Sequence, residues 1–474
     1  MTAALEPALA LLPDWLPRQR WFAGKDRAVD EVRVVSSTVL DEGDPTVWHL
    51  LVEVVQGGDR DVYQVPLSVR RHIEHRMEHV LLGQTDDGAV YDALHDKDAM
   101  EGVLRRFAMN DTAGPLAFRT EPGAALPLGE PSLVLTAEQS NTSLAYGDSA
   151  LLKVFRRVQP GVNPDVEIHD ALTRAGCQSI APLLGWLEGG WTDAAGRPQS
   201  ASLAMLQTFL VTATDGWSLA TASVRDLYAE GDLHADEVGG DFAGEAERLG
   251  AATAEVHAMM AEVLPTDLLS SDDVTQLAAA MKDRLQAAVV IVPELTPHAD
   301  ALSTAFDDLA GLTDPVPVQR VHGDYHLGQV LRTVTGWKLV DFEGEPAKPL
   351  AERVTLDSPV RDVAAMLRSF DYAAWHLLEA DHHGSEQITY RAAEWADRNR
   401  VAFCDGYARA AGYDPRENAV LMRAYETDKA IYEAVYEARN RPTWLAIPLA
   451  AVKRLASTAD DPAAYSQFGE WRHR

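Results

Sequence analysis

At 474 residues the chain is too long for one compact core and is expected to form two or three units. Apolar residues make up 46% of it and aromatics 7%, the balance of a globular enzyme rather than a disordered or fibrous chain. A formal net charge of −30 would repel nucleic acid and anionic membrane surfaces, so neither is an expected partner. Cys177 and Cys404 lack any CxxC spacing, which argues against a disulfide framework or a zinc site. No apolar run approaches the roughly 20 residues of a membrane span, and Met1-Thr2-Ala3-Ala4-Leu5-Glu6 has no basic leader. The expected compartment is the cytoplasm.

Residues 1–90 open with an amphipathic segment around Trp15, Trp21 and Phe22, whose rings are expected to anchor a core rather than to face a ligand. Three β-rich runs follow, Val32 to Leu40, Val47 to Val55 and Asp61 to Val69, separated by Gly, Asp and Pro. They predict a small antiparallel sheet with a helix on it.

A second unit is predicted over 91–206. A polar stretch, Ser140-Asn141-Thr142-Ser143, belongs to a hairpin whose second strand carries Lys153 between apolar neighbours. Asn163-Pro164 then starts a helix, with Asn163 as N-cap and Glu167 one turn in. The apolar run through Gln207, Phe209 and Leu210 reads as a buried strand that leads into a polar turn.

From 207 to 474 the character is helical, with apolar residues at three- and four-residue spacing through Trp217 to Tyr228 and Phe242 to Val256. His257 is expected to be packed rather than a ligand. The informative stretch runs from Val321 through His322-Gly323-Asp324-Tyr325-His326 to Gln329, then through a tight turn to Asp341-Phe342-Glu343. Two short strands would place Gln329 at the start of one and Asp341 at the end of the other, so that their side-chain oxygens converge. Convergent hard oxygens suit Mg²⁺ and phosphate. Asp357-Ser358-Pro359 starts a helix that carries Asp362 in its first turn.

Near the end, Tyr425, Lys429, Tyr432, Tyr436 and Arg439 fall on one helical stripe, with Glu426, Glu433 and Glu437 beside it and Pro442 closing the helix. Phenols and charges make poor core material without buried partners, so the stripe is expected to bind a polyhydroxylated ligand. His322, His326 and Glu433 are placed with this acceptor side.

The five-residue step from Asp324 to Gln329, with Asp341 following, resembles the catalytic loop of protein kinases. Its His-Gly-Asp and Asp-Phe-Glu variants resemble the aminoglycoside-phosphotransferase-like kinases of small molecules. On that resemblance Asp324 orients the acceptor hydroxyl, Gln329 and Asp341 hold Mg²⁺, and Lys153 pairs the phosphates of ATP with Glu167 as its partner. Ser140, Asn141, Thr142 and Ser143 stand where a glycine-rich loop would be, and the hinge at Gln207 to Leu210, including Phe209, meets adenine. Asp362 buttresses the catalytic loop through backbone N–H groups.

Over nearly the whole chain the sequence is similar to the actinobacterial maltokinases. The resemblance is carried by Arg18-Gln19-Arg20-Trp21-Phe22-Ala23-Gly24, Glu138-Gln139-Ser140-Asn141-Thr142-Ser143, Leu152-Lys153-Val154-Phe155-Arg156-Arg157, Asp341-Phe342-Glu343-Gly344-Glu345-Pro346 and Pro442-Thr443-Trp444-Leu445. It implies an α+β, bilobal protein-kinase-like fold with an N-terminal cap subdomain and a mostly helical C-terminal lobe. It also implies phosphorylation of maltose, or a related small sugar such as glucosamine, feeding α-glucan (glycogen) synthesis, and a complex with trehalose synthase. Tyr325 departs from the Leu of that family's H-G-D-L-H, which bears on the choice of acceptor.

Overall fold

The computed structural model describes residues 5–136, 140–345, 348–381 and 386–457. The first four residues, Glu138 and Gln139 of the loop motif, and Pro346 lie outside the described residues. The chain forms two compact units, Met1–Asp170 with Ala181–Val211 and Ala171–Ile180 with Thr212–Arg474.

The first unit opens with two helical turns, α1 (Glu6–Leu9) and α2 (Leu12–Trp15). Its first sheet contains β1 (Glu31–Asp41), β2 (Thr46–Gln56), β3 (Asp59–Gln64), β4 (Leu67–Arg70), β5 (Leu81–Thr85) and β6 (Gly88–Asp92). The third predicted β run is split into β3 and β4, which pair with successive halves of β2. Pro66 lies between them and has no N–H to give to a ladder. Trp15, Trp21 and Phe22 are buried as expected, the last two against Tyr63 at ring distances of 5.9 and 5.0 Å.

Helix α3 (Lys97–Ala108), capped by Asp96, leads to a second sheet. That sheet comprises β7 (Thr112–Ala113), β8 (Leu116–Thr120), β9 (Ser132–Val134), β10 (Thr142–Tyr146) and β11 (Ala150–Val154). After β12 (Arg157–Val158), which returns to the first sheet, and α4 (Pro164–Ala175), it is completed by β13 (Leu183–Thr192) and β14 (Pro198–Thr208). Apolar side chains from both sheets and α3 share one core. The fully buried Arg156 ties the sheets together. It reaches Asp92 at 2.5 Å and Thr142 Oγ1 at 2.8 Å, and stacks over Trp21 at 4.6 Å.

The second unit is built of helices around two small pieces of sheet. In chain order it contains β15 (Thr214–Asp215), α5 (Gly216–Ala229), α6 (Ala243–Val263), β16 (Thr266–Leu269), α7 (Ser271–Ile291), α8 (Ala299–Ala310), β17 (Val316–Gln319), β18 (Val330–Thr333) and β19 (Gly336–Leu339). Then come α9 (Leu350–Arg353), α10 (Val360–Asp381), α11 (Glu386–Ala411), α12 (Ala419–Asn440) and α13 (Ala446–Ser457). The predicted periodic stretches are α5 and α6. Among the described residues no helix is long and apolar enough to cross a membrane.

Helices α6 and α11 approach each other across two glycines. A Cβ on Gly250 would lie 2.0 Å from the carbonyl oxygen of Phe403, and one on Gly406 1.9 Å from that of Glu247. Each neighbour is helix backbone, so relief requires moving a whole helix. Gly406→Ala is expected to cost about 1–3 kcal/mol through overpacking, read as a lowered midpoint in urea at unchanged slope.

Behind α12 lies a buried ionic network. Arg400 forks onto Glu426 at 3.0 and 2.9 Å, Arg368 gives two bonds to Glu433 at 2.9 and 2.8 Å, and Arg454 bridges Glu426 and Asp371 at 2.7 Å each. Burial alone would raise the Glu426 carboxyl, but Arg400 and Arg454 outweigh it and hold it well below the ordinary range. A carboxylate depressed in this way stabilises the fold above its unfolded pKa of about 4.3, and that contribution is lost as pH falls further. Glu426→Gln should therefore cost about 3 kcal/mol at pH 7, because it removes the charge that pairs the buried Arg400 and the half-buried Arg454. It should also flatten the fall in Tm below about pH 4, where the unfolded chain binds a proton at this residue that the folded protein does not.

Candidate active site

The chain enters the candidate site from β17 and leaves it through β18 and β19, and three anchors shape the loop between. The buried carboxylate of Asp362, in the first turn of α10, accepts the backbone N–H groups of His322 and Gly323 at 2.7 and 3.0 Å. His257, packed on α6, meets the same carboxylate at 3.2 Å. Burial pushes Asp362 up, but these hydrogen bonds and the neighbouring histidines bring it below its usual range, so it stays charged. This is the buttress expected from the sequence.

The second anchor is His322. Its ring is buried between Tyr325 and Phe342, with centroids at 5.1 and 4.9 Å, and its Nε2 meets the carbonyl of Val340 at 3.0 Å. The expectation that His322 touches an acceptor is corrected: a ring filling this position spends its nitrogen on holding the catalytic loop to the residue before Asp341. The third anchor is Tyr325, also buried, whose hydroxyl is 2.6 Å from Thr253 Oγ1 on α6. Its departure from Leu therefore concerns the interior and not the acceptor.

Between these anchors Asp324 remains a quarter exposed. Lys429 of α12 brings its ammonium to 3.8 Å from Asp324 Oδ1 and lies 5.0 Å over the ring of Tyr432. His326 is half-buried and accepts the Gly328 N–H at Nδ1 at 3.0 Å. Burial lowers its pKa, against the pull of Asp324, which keeps that acceptor lone pair available. The hairpin of β18 and β19 pairs Val330 with Leu339, and this register brings Gln329 Nε2 to 2.9 Å from Asp341 Oδ2. The two side chains thus meet as the spacing predicts, but with the Gln329 amide nitrogen rather than its oxygen toward Asp341. Asp341 sits in the left-handed region at φ +68°, a conformation that Asp tolerates better than most residues and that turns the chain out of the strand.

In the first unit Lys153 lies on β11, buried, opposite Ser143 on β10. The carboxylate that meets its ammonium is Asp165, at 2.8 Å. Sequence reading named Glu167 for that place; Asp165 stands two residues earlier on α4 and points inward, where Glu167 is only half-buried. Burial would raise Asp165, but Lys153 and His169 hold it far below the ordinary range. Asn163 caps α4 as expected, accepting the Asp165 N–H at 2.8 Å. Ser140 and Asn141 precede β10, whereas Thr142 and Ser143 lie within it, buried, with Thr142 held by Arg156. Gln207 is inside the sheet, opposite Leu151 and Leu183, and the Phe209 N–H is committed to the Ser149 carbonyl at 3.0 Å. The Phe209 N–H is therefore not available to an adenine ring in this conformation.

The stripe predicted on α12 is divided by the structure. Lys429, Tyr432 and Tyr436 face outward, the two tyrosines 41% and 43% exposed and stacked at 6.4 Å, and Arg439 is exposed beyond them. Tyr425 and Glu433 are corrected to interior residues. The Tyr425 hydroxyl bonds the carboxylate of Asp357, and Glu433 is neutralised by Arg368, so each has the buried partner that sequence reading judged absent. The sequence reading gave Asp357 only a place at a helix start and passed over Arg361, although their i,i+4 spacing beside Asp362 is an ion-pair signal.

The second unit thus holds a carboxylate at a polar loop and an amide and a second carboxylate meeting across a hairpin, and the first unit a buried lysine on a strand; the comparisons give the class as a phosphotransferase of kinase-like fold. The maltokinase N-terminal cap domain matches residues 15–96, and the phosphotransferase enzyme family matches residues 234–413. The chain is 30% identical to a glucosamine kinase of Streptacidiphilus jiangxiensis over 73% of its length and 77% of the relative's. It is 27% identical to a glucosamine kinase of Mycolicibacterium smegmatis (strain ATCC 700084 / mc(2)155), over 68% and 78%. In fold it resembles a glucosamine kinase solved with glucosamine, ADP and inorganic phosphate, at TM-score 0.68 and 23% identity over 94% and 98% of the two chains. Crystal form B of a glucosamine kinase gives 0.70 at 22%, over 95% and 99%. The chain belongs to the phosphotransferase enzyme family, among its members that carry a maltokinase-type cap, and transfers phosphoryl groups to an alcohol acceptor.

Because Tyr325 points into the interior, Tyr325→Phe should cost about 1 kcal/mol through loss of one buried hydrogen bond. The ratio of kcat/KM between any two acceptors should be unchanged, measured on the purified variant.

Proposed function

We propose that the protein is an ATP- and Mg²⁺-dependent maltokinase that transfers the γ-phosphoryl group to the anomeric hydroxyl of maltose. The observation that carries the choice of acceptor is Lys429, whose ammonium stands 3.8 Å from Asp324 with a stacked, half-exposed tyrosine pair beside it. A cation at this place disfavours a cationic amino sugar and suits a neutral polyol. Two stacked aromatic faces suit the C–H surface of a second sugar ring. Burial, followed by Glu345 and Asp324, pushes Tyr432 up to about 12, so it remains a hydroxyl donor at working pH. The cap-domain match over residues 15–96 supports the same reading.

In this reading Asp324 orients the attacking hydroxyl and receives its proton. Lys429 sets the position of that carboxylate and gives hydrogen bonds to the acceptor. Lys153, placed by Asp165, neutralises nucleotide phosphate charge. The Asp341 carboxylate and the amide oxygen of Gln329 would hold Mg²⁺, which would screen the charge of the phosphates when bound. Positioning and electrostatics then supply most of the rate. The product, a sugar 1-phosphate, would feed α-glucan synthesis, and a partnership with a trehalose synthase fits that place.

Asp324→Asn should lower kcat by about 10²- to 10⁴-fold while the KM for ATP stays within a factor of about two. Near wild-type turnover would remove Asp324 from this role. The competing acceptor is glucosamine, the substrate named for relatives of this chain. A panel of maltose, glucose, glucosamine and trehalose, read by ATP consumption, should give the highest kcat/KM with maltose. Lys429→Met should narrow the preference over glucosamine. Selection of glucosamine by the wild-type enzyme would overturn the maltose assignment.

A further inference from the structure

Gly323 precedes Asp324 in the left-handed region at φ +82°, and glycine is the residue that least restrains its own backbone. Unless both flanking peptides were held, Asp324 would swing on this hinge. Asp362 holds one of them through the Gly323 N–H at 3.0 Å. The other ends in the Gly323 carbonyl, and there the donor is Arg361, whose Nη2 lies 3.4 Å away. The same nitrogen donates to Glu345 Oε1 at 3.0 Å, four residues past Asp341, and Nη1 donates to Asp357 Oδ2 at 2.9 Å.

Asp357 is itself fixed. Its backbone N–H and carbonyl exchange two 2.9 Å bonds with Gln319 at the end of β17, and its Oδ1 accepts from the Tyr425 hydroxyl. Tyr425 lies on α12 one turn before Lys429. An unbroken chain of hydrogen bonds therefore runs from the helix that carries Lys429, Tyr432 and Tyr436, through Tyr425, Asp357 and Arg361, to the peptide bond of Asp324. Only an arginine can make all three contacts at its end, because its planar fork presents several donors in fixed directions and a lysine presents one charged point.

We propose that Arg361 is a positioning residue for Asp324, and that Tyr425 and Asp357 tie it to α12 so that the acceptor seat and the acceptor-orienting carboxylate are set together. The inference rests on the reading of Asp324 as that carboxylate. It gives Tyr425 a role in turnover without contact with substrate.

The test is a double-mutant cycle in kcat with ATP and the sugar that the acceptor panel selects, each variant being checked for an unchanged circular dichroism spectrum. Arg361→Gln should lower kcat by about a hundredfold with the KM for ATP within twofold, and Arg361→Lys should recover only part of the loss. Tyr425→Phe should lower kcat about fivefold alone and add nothing in the Arg361→Gln background, since its effect passes through the missing guanidinium. Wild-type kcat in folded Arg361→Gln would overturn the proposal, as would multiplicative losses in the double variant. If Arg361→Gln does not fold, the same cycle with Arg361→Lys decides: non-additive losses support the chain and multiplicative losses refute it. Wild-type turnover by Asp324→Asn would instead discard the role of Asp324, a separate result obtained from a separate variant.

Discussion

The catalytic loop keeps its shape through one buried negative charge. Asp362 is surrounded by protein, yet its two oxygens are occupied by the amides of His322 and Gly323 and by His257. A buried carboxylate without such partners would protonate or unfold its surroundings. Because the donors are successive main-chain groups, the charge is stabilised only when the loop has one shape. The loop in turn places His322 on the Val340 carbonyl, and the next residue along is Asp341. The position of Asp324 and that of the Gln329 and Asp341 pair thus both descend from the same carboxylate. That carboxylate never needs to meet a substrate.

The overall charge poses a second constraint. A chain of net charge −30 that handles a polyanionic nucleotide must concentrate cations where the phosphates go. Two lysines, Lys153 and Lys429, are each preset by a carboxylate. Lys153 is buried on Asp165 at 2.8 Å, a contact short enough to fix the ammonium. Lys429 is looser, 3.8 Å from Asp324 and more open to solvent, so its ammonium can turn to a hydroxylated ligand at little cost. On the proposed function, tight pairing suits a group that must be found in one place, and loose pairing one that adapts to the acceptor.

Much of this was legible in the sequence because it is local. The Gln329 and Asp341 pair follows from a short hairpin, the Asn163 cap from the proline after it, and Asp362 from its place at a helix start. The legible part stopped where a choice between neighbours depended on which way α4 faces: Asp165 and Glu167 are two residues apart, so helical pitch turns them to different sides, and nothing local says which side holds Lys153. Tyr325 and His322 were misjudged for a related reason. A polar side chain in a functional motif invites a functional reading, although their buried partners, Thr253 and Val340, lie 72 and 18 residues away. Long-range pairing of that kind leaves no trace in spacing.

Helix α12 shows how the two kinds of information combine. Glu426, Glu433 and Glu437 recur at seven and four residues and share one face, whereas Lys429, Tyr432 and Tyr436 recur at three and four and share another. Read as one broad stripe, the helix looks too polar to bury. Divided into two faces, it presents Glu433 to Arg368 and Glu426 to Arg400 and Arg454, while Tyr432 and Tyr436 remain outside. An apolar inward face could slide by a methylene or rotate by some degrees at small cost, because hydrophobic packing is not directional. Arginine bonds to Glu426 and Glu433 from other helices leave less freedom, since rotation breaks charged hydrogen bonds. The inward network therefore sets where the outward tyrosines and Lys429 stand, and Tyr425, on their stripe but buried nearer the start of the helix, carries that setting to Asp357.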